Sequence, residues 1–285
     1  MVRSARLWGI LAAALAAGAT APAEAEPPRV MSIEACANQY VLALADREQI
    51  ISLARGADDP RTSFLHEKAR GIPANRRSAE EVIAADPDLV FTGPFSRRTR
   101  EFLQRFHIRI VRTNRPRTLG ELSAQIRRVA GILGHPERGE RLASSIDGLA
   151  AGAASMPGGQ RPTAVIYRGH GYSFGADTLA DAIMSAAGID NIAAKLGYKR
   201  GGYVPLEILL VGKPDYLLDD TVRNPMRPRI GAQIIRHPAL DRSLDKSGRI
   251  EFPVAFWLCG GEATTVAVEA LAGIARNPAT PGANQ

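Results

Sequence analysis

Gly171-Tyr172-Ser173-Phe174-Gly175 has the Gly-x-Ser-x-Gly spacing of a nucleophile elbow, and an acid and a base follow it in hydrolase order, Asp219 and His237. An elbow needs its serine at the apex of a strand-to-helix turn. Here the helical pattern starts later, near Thr178, so acyl-transfer chemistry at Ser173 is kept only as an alternative. Gly169-His170-Gly171 opens a partial dinucleotide fingerprint, but it lacks a helix opening at the third glycine. The five histidines, His66, His107, His135, His170 and His237, include no pair at i, i+4. A protein metal site needs three or four clustered N, O or S ligands, so neither a resident metal nor a cofactor is expected.

The arginines carry more information. Arg97 follows the apolar run Leu89 to Thr92, Arg112 closes Ile108 to Val111, Arg168 follows Ala164 to Tyr167, and Arg200 lies in Lys199-Arg-Gly-Gly-Tyr203. Open α/β sheets bind ligands outside the carboxyl ends of their strands. Guanidinium forks grip carboxylate and catecholate oxygens bidentately and stay charged when desolvated. These four arginines are therefore expected to line a site for an anionic ligand. Phe95, Tyr172, Tyr203 and Trp257 fall in the same loops and suit the walls of a ring-bearing ligand. His170 and Asn38 complete the expected contact set, and Tyr172 offers a phenol of the kind that ligates haem iron.

These residues need elements to place them. Arg29 to Ile33, Ile50 to Leu53, Leu89 to Thr92 and Ile108 to Arg112 read as strands. Helical patterns at Ala35 to Ala45, Ser78 to Ala85 and Arg97 to Phe106 separate them, the second opened by a Ser78/Glu81 capping box. Alternation of this kind implies parallel βα units. Leu119, Leu122, Ile126, Val129, Leu133, Leu142, Ile146 and Leu149 then repeat at helical spacing, which predicts one long helix over 119–152, kinked near Pro136. After a Gly/Pro-rich linker the alternation resumes. Strands are expected at Ala164 to Tyr167, Tyr216 to Asp219 and Arg249 to Val254. Helices are expected at Thr178 to Ala187, Pro205 to Val211 and Glu262 to Arg276.

The chain is thus α/β, with two Rossmann-like lobes joined by a single long α-helix. The expected divisions are a signal peptide over 1–25, a first lobe over 26–117, a linking helix over 118–155, a second lobe over 156–276 and a disordered tail over 277–285. The signal reading rests on Arg3 and Arg6, an uncharged stretch from Leu7 to Ala19, and Ala23-Glu24-Ala25 as the cleavage site, so a mature protein in the periplasm is expected. The net charge of +7 comes from scattered arginines without a run of five Lys/Arg, a zinc-finger spacing or an aromatic RNA-binding motif, so nucleic acid is not expected as a partner.

Several ordered patterns are similar to the cobalamin and ferric-siderophore class of periplasmic binding proteins of ABC importers. They are Arg29-Val-Met-Ser-Ile33, Ser78 through Asp86-Pro-Asp-Leu-Val90, Thr118 to Gly134, Phe174-Gly-Ala-Asp-Thr-Leu179, Ala187-Gly-Ile-Asp-Asn-Ile-Ala193, and Pro205-Leu-Glu207 through Lys213-Pro-Asp-Tyr216. The resemblance implies a monomeric carrier, not an enzyme. Such a carrier would capture a ferric siderophore or similar anionic metal chelate between its lobes, with cobalamin or another corrinoid, or haem, as the other ligands of the class. It also implies delivery to the membrane permease through one acidic residue per lobe, which matches Glu80 and Glu207 here. The family places Cys36 and Cys259 near the cleft, one in each lobe. Pairing would need their Cα atoms within about 7 Å and would lock the cleft, so two free thiols are favoured while pairing stays open.

Overall fold

The computed structural model describes residues 26–94, 97–154, 161–168, 171–219, 237–238, 240 and 248–276. The expected signal peptide and tail lie outside them, as does most of the linker.

The first lobe is built on β1 (Val30–Ser32), β2 (Ile50–Ala54), β3 (Ala74–Asn75), β4 (Leu89–Thr92) and β5 (Ile110–Arg112), all parallel in the order β3-β2-β1-β4-β5. Every residue of β1 and β4 is buried, as parallel strands covered on both faces require. The crossovers are α1 (Ala35–Leu44), α2 (His66–Ala69), α3 (Ala79–Ala85) and α4 (Arg97–Gln104). Strand order reverses between β1 and β4, and such a switch point opens a crevice at the carboxyl edge. Glu34 starts α1 there, its carboxylate accepting from the amides of Cys36 and Ala37 at 2.9 and 3.1 Å. The Ser78/Glu81 capping box of α3 forms as expected.

The second lobe holds β6 (Thr163–Tyr167), β7 (Tyr172–Phe174), β8 (Asp190–Asn191), β9 (Gly201–Tyr203), β10 (Tyr216–Asp219) and β11 (Arg249–Glu251), in the order β11-β10-β6-β7-β9 with β8 also paired to β6. β7 runs antiparallel to both its neighbours. The helices are α7 (Leu179–Ala186), α8 (Ile192–Lys195), α9 (Leu206–Gly212) and α10 (Glu262–Arg276). The expected strand over 249–254 stops at Glu251, where Pro253 begins a 3₁₀ turn, Val254–Phe256.

The two lobes repeat one local device. α3 and α9 are each seven residues long and end on a non-glycine residue in the left-handed region, Asp86 (φ 44°, ψ 62°) and Lys213 (φ 41°, ψ 63°). A Pro-Asp pair follows in each case. Asp88 accepts from the amide of Arg29 and Asp215 from that of Thr163, both at 2.7 Å. Each aspartate thereby pins its strand, β4 or β10, to the start of its neighbour, β1 or β6.

The predicted helix over 119–152 is two helices, α5 (Leu119–Leu133) and α6 (Pro136–Ala154). Arg127 reaches Glu140 at 2.7 Å and Asp147 at 2.8 Å. Arg127 and Asp147 would stand about 30 Å apart along a continuous helix rising 1.5 Å per residue, so α6 folds back antiparallel to α5. Gly134 makes the turn with φ 87°, and Pro136 opens α6, the usual glycine-stop and proline-start pairing. The apolar spacing runs through the turn because both helices bury their stripes in one core, with Leu122, Ile126, Val129, Leu133, Ala143 and Ile146 fully enclosed. Arg127 also holds the Glu140 carboxyl down to about 2. A single helix still joins the lobes, and it is α6. Arg138, in its first turn, donates to the Leu44 carbonyl at 2.9 Å and to Asp46 at 2.7 Å in the first lobe, and α6 also packs on α7 and α10 of the second.

A second link contradicts the expectation of free thiols. Cys36 of α1 and Cys259, just before α10, form a disulfide, their Cα atoms 4.9 Å apart. Around it the Tyr40 hydroxyl donates to the Cys259 carbonyl at 3.0 Å, Lys68 pairs with Glu262 at 3.0 Å, and Phe64 meets Phe256 edge-on at 5.5 Å. Burial pushes the Tyr40 phenol above its ordinary value, so it remains a donor.

The close approach of α5 and α6 depends on Gly139, where a Cβ would overlap that of Ala130. Gly139→Val is expected to cost about 1–3 kcal/mol, the range for overpacking a close contact. A lower urea midpoint with unchanged slope would show it, and an unchanged midpoint would contradict the packing described.

Candidate functional site

A cavity of about 280 Å³ lies between the lobes. Its first-lobe wall comes from α1 (Ala35, Asn38 and Gln39) and from loops at the carboxyl ends of β2 and β3, with Arg55, Ser63 and Arg77. The second-lobe wall is Arg168, directly after β6, with Val254, Leu258 and Cys259 from the segment after β11. Both lobes thus present the carboxyl ends of their strands to one space, as the switch-point rule requires. Among the described residues, three arginines line it and no acidic side chain does.

The wall is fixed from behind. Asn38 spends both ends of its amide on the backbone of Ala54, donating at 2.9 Å to its carbonyl and accepting at 3.1 Å from its N–H. Gln39 donates to the Ser63 hydroxyl at 2.8 Å and accepts from the Leu65 amide at 3.2 Å. These two amides lock α1 against β2 and the following loop, so Arg55 leaves a rigid strand end. Arg77 adopts a φ of 69°, its amide donates to Asn75 at 3.1 Å, and its guanidinium donates to the Arg55 carbonyl at 3.4 Å. Asn75 is buried and donates to the Ser32 carbonyl at 2.8 Å and the Ser52 hydroxyl at 3.0 Å, which anchors that loop in turn.

On the opposite wall, Arg168 lies over the ring of Trp257 with its guanidinium carbon 5.7 Å from the centroid. Trp257 is 1% exposed and meets Phe174 edge-on at 4.7 Å. It therefore supports Arg168 from below, and the expected direct contact with ligand is not open to it in this arrangement. Phe174, Tyr172 and Tyr203 continue the row of rings at 5.3 and 5.4 Å, ending at Tyr203, which is exposed. Neither tyrosine lines the cavity.

Of the expected contact set, the structure brings Asn38 and Arg168 to the cavity. Arg97 lies on α4 in an exposed ion pair with Glu101 at 2.7 Å, Arg112 is exposed at the end of β5, and Arg200 is exposed in the turn before β9 with φ 62°. None of the three lines the cavity. Their strands sit at one side of each sheet, β5 at the edge of the first and β9 at the edge of the second, whereas the cavity opens over α1 and β1 to β3. Phe95 and His170 lie outside the described residues. Glu80 and Glu207 both occupy the second position of their helices and are exposed.

Arg55 and Arg77 were not anticipated. Arg55 had a usable signal, since it directly follows the apolar run Ile50 to Ala54. Arg77 had little, because β3 is only two residues long.

Ser173 is not at a strand-to-helix turn. It is buried in the middle of β7, opposite Gly202 of β9 and Tyr167 of β6, and α7 is capped only at Thr178. Asp219 pairs with Arg249 at 3.3 Å. The elbow that serine hydrolysis needs is not formed. Among the described residues, no three His, Cys, Asp or Glu side chains gather to hold a metal ion.

Comparison with known proteins gives the same architecture. Two curated proteins of Halobacterium salinarum strains, each described as a cobalamin-binding protein, are 25% identical over 213 residues, covering 68% of this chain and 54% of theirs. The chain thus spans about half the length of the curated relatives it matches. A periplasmic heme-binding protein from Roseiflexus sp. RS-1, in apo form, superposes with a TM-score of 0.66 at 24% identity, covering 87% of this chain and 99% of that one. An ABC-type Fe³⁺-hydroxamate transport protein from Saccharomonospora viridis superposes with a TM-score of 0.63 at 22% identity, over 87% and 92% of the two chains. These likenesses establish the two-lobed fold. The profile of the family described as periplasmic binding protein matches residues 30–243, well over half of the sequence, and the chain belongs to that family.

Proposed function

We propose that this chain is the ligand-capturing component of an ABC importer in the periplasm, and that it holds a ferric siderophore or similar anionic metal chelate between its lobes. The observation that carries this reading is the meeting of Arg55, Arg77 and Arg168, from both lobes, on one cavity wall. Guanidinium groups from both lobes facing one space offer charge-assisted hydrogen bonds to an anion placed among them. At about 280 Å³ the cavity is near the lower end of ligand pockets. A chelate seats an anionic arm there and extends its bulk towards the cleft mouth. A corrinoid is the next candidate, favoured by the name of the curated relatives, and haem follows, favoured by the Roseiflexus neighbour. Residues 1–25 fit an export signal, which such a role needs.

Thermal-shift screening against ferric siderophores, cobalamin and haem tests the reading, since a ligand at 100 times its Kd stabilises the folded state by about 2.7 kcal/mol. A ferric siderophore is expected to give the largest rise in Tm. Replacing Arg55 or Arg168 by Ala is then expected to weaken binding by about 1.5–3 kcal/mol each, the range for hydrogen bonds to charged groups. If none of the three classes raises Tm, or if both variants bind like the parent, the reading fails.

Delivery is assigned to Glu80 and Glu207. They stand at equivalent places on α3 and α9, two helices with the same length, the same left-handed stop and the same Pro-Asp anchor. The Glu80 amide and the Ser78 hydroxyl hold its carboxyl below the usual carboxylate value, so it carries full charge at neutral pH. Two fixed negative charges, one per lobe, suit a permease face bearing arginines, where charge pairing governs encounter and register. Glu80→Ala combined with Glu207→Ala is expected to leave ligand affinity unchanged and slow import in cells that make the cognate permease. Uptake equal to the parent's would contradict this assignment.

A further inference from the structure

Among the described elements, the chain passes from the first sheet to the second once, after α6, because β1 to β5 all lie in one sheet and β6 to β11 in the other. The disulfide is a second covalent link between the lobes, joining residues 223 apart in sequence. It stands at the ligand cavity: Cys36 follows the lining residue Ala35 in the first turn of α1, and Cys259 itself lines the wall beside Leu258. With both links intact, the wall formed by Val254, Leu258 and Cys259 is held to α1. With the disulfide open, that wall keeps no covalent tie to α1. Its polar and ring contacts with the first lobe include the Tyr40 hydrogen bond, the half-exposed Lys68–Glu262 pair and the Phe64–Phe256 edge contact, while Val254 and Trp257 stay packed in the apolar core. An exposed ion pair adds little to such a hold.

We infer that Cys36–Cys259 is a redox-cleavable latch on the ligand cavity, a site for thiol–disulfide exchange with a dithiol reductant. Cys36 is partly exposed whereas Cys259 is buried, so the reductant thiolate attacks the Cys36 sulfur. The S–S bond breaks, and Cys259 leaves as a thiolate and takes up a proton. The second thiol of the reductant then resolves the mixed disulfide, freeing the Cys36 thiol. Two electrons and two protons pass to the protein, and the dithiol departs as its own disulfide. The 254–262 segment then separates from α1, the cavity opens, and a ligand held between the arginines is released. The release step rests on the proposed ligand site, whereas the opening step does not.

Amide hydrogen exchange on the full ligand-free chain tests the opening. Three samples are compared: the oxidised protein, the same protein reduced with dithiothreitol and alkylated, and the Cys36→Ser/Cys259→Ser double variant. Exchange in 35–44 and 254–262 is expected to rise about tenfold or more in the last two, as for local opening, while β1, β4, β6 and β10 keep their protection. Unchanged exchange in both segments would overturn the latch. So would loss of protection throughout both sheets, which would make the disulfide a staple of the fold as a whole. Because no ligand enters this assay, its failure leaves the carrier reading intact, and failure of the ligand screen leaves the latch intact.

Discussion

Parallel strands cannot be joined by tight turns, so each crossover must carry the chain back along the sheet before the next strand begins. In the first lobe this sends the segments after β1, β2 and β3 to the same edge, where Ala35, Arg55 and Arg77 emerge. In the second lobe β6, β10 and β11 run parallel, so their carboxyl ends share one edge, with Arg168 after β6 and the Val254 to Cys259 segment after β11. α6, tied to the first lobe through Arg138 and packed on the second through α7 and α10, turns the two edges towards each other. The site is a consequence of that arrangement. No single element contains it, and removing either lobe would leave half a wall.

Rigidity behind the site matters as much as the charges in front. Asn38 and Gln39 use their amides on backbone and hydroxyl partners at the base of α1, and Asn75 does the same beneath Arg77. Buried amides satisfied in this way specify one backbone arrangement, because any shift leaves a donor or acceptor without a partner. Trp257 plays a comparable part for Arg168 by offering it a ring face. A carrier whose arginines are already positioned pays less ordering cost on binding than one that must assemble them.

Much of this architecture was legible in the residues. The capping box at Ser78, the Pro-Asp pairs after α3 and α9, and the strand at Ala164 to Tyr167 all follow from local rules, and the structure keeps them. What failed were inferences that depend on tertiary placement. An apolar stripe continuing past Pro136 fits a kinked helix and a folded-back pair equally well, and only the Gly134 stop with Pro136 as start favours the pair. Arg168 comes to the cavity whereas Arg112 lies at the end of an edge strand, a difference that local spacing does not carry because strand order within a sheet is not written in it. The pairing of Cys36 with Cys259 joins residues 223 apart in sequence and has no local signature.

The central claim is that one anionic ligand is held by arginines of both lobes at once. A crystal structure of the protein with the most stabilising ferric chelate tests it most directly. The account predicts acidic oxygens of the ligand within hydrogen-bond reach of Arg55, Arg77 and Arg168, in the space bounded by Asn38 and Cys259. A ligand bound outside that cavity, or one contacting the arginines of a single lobe, would contradict it.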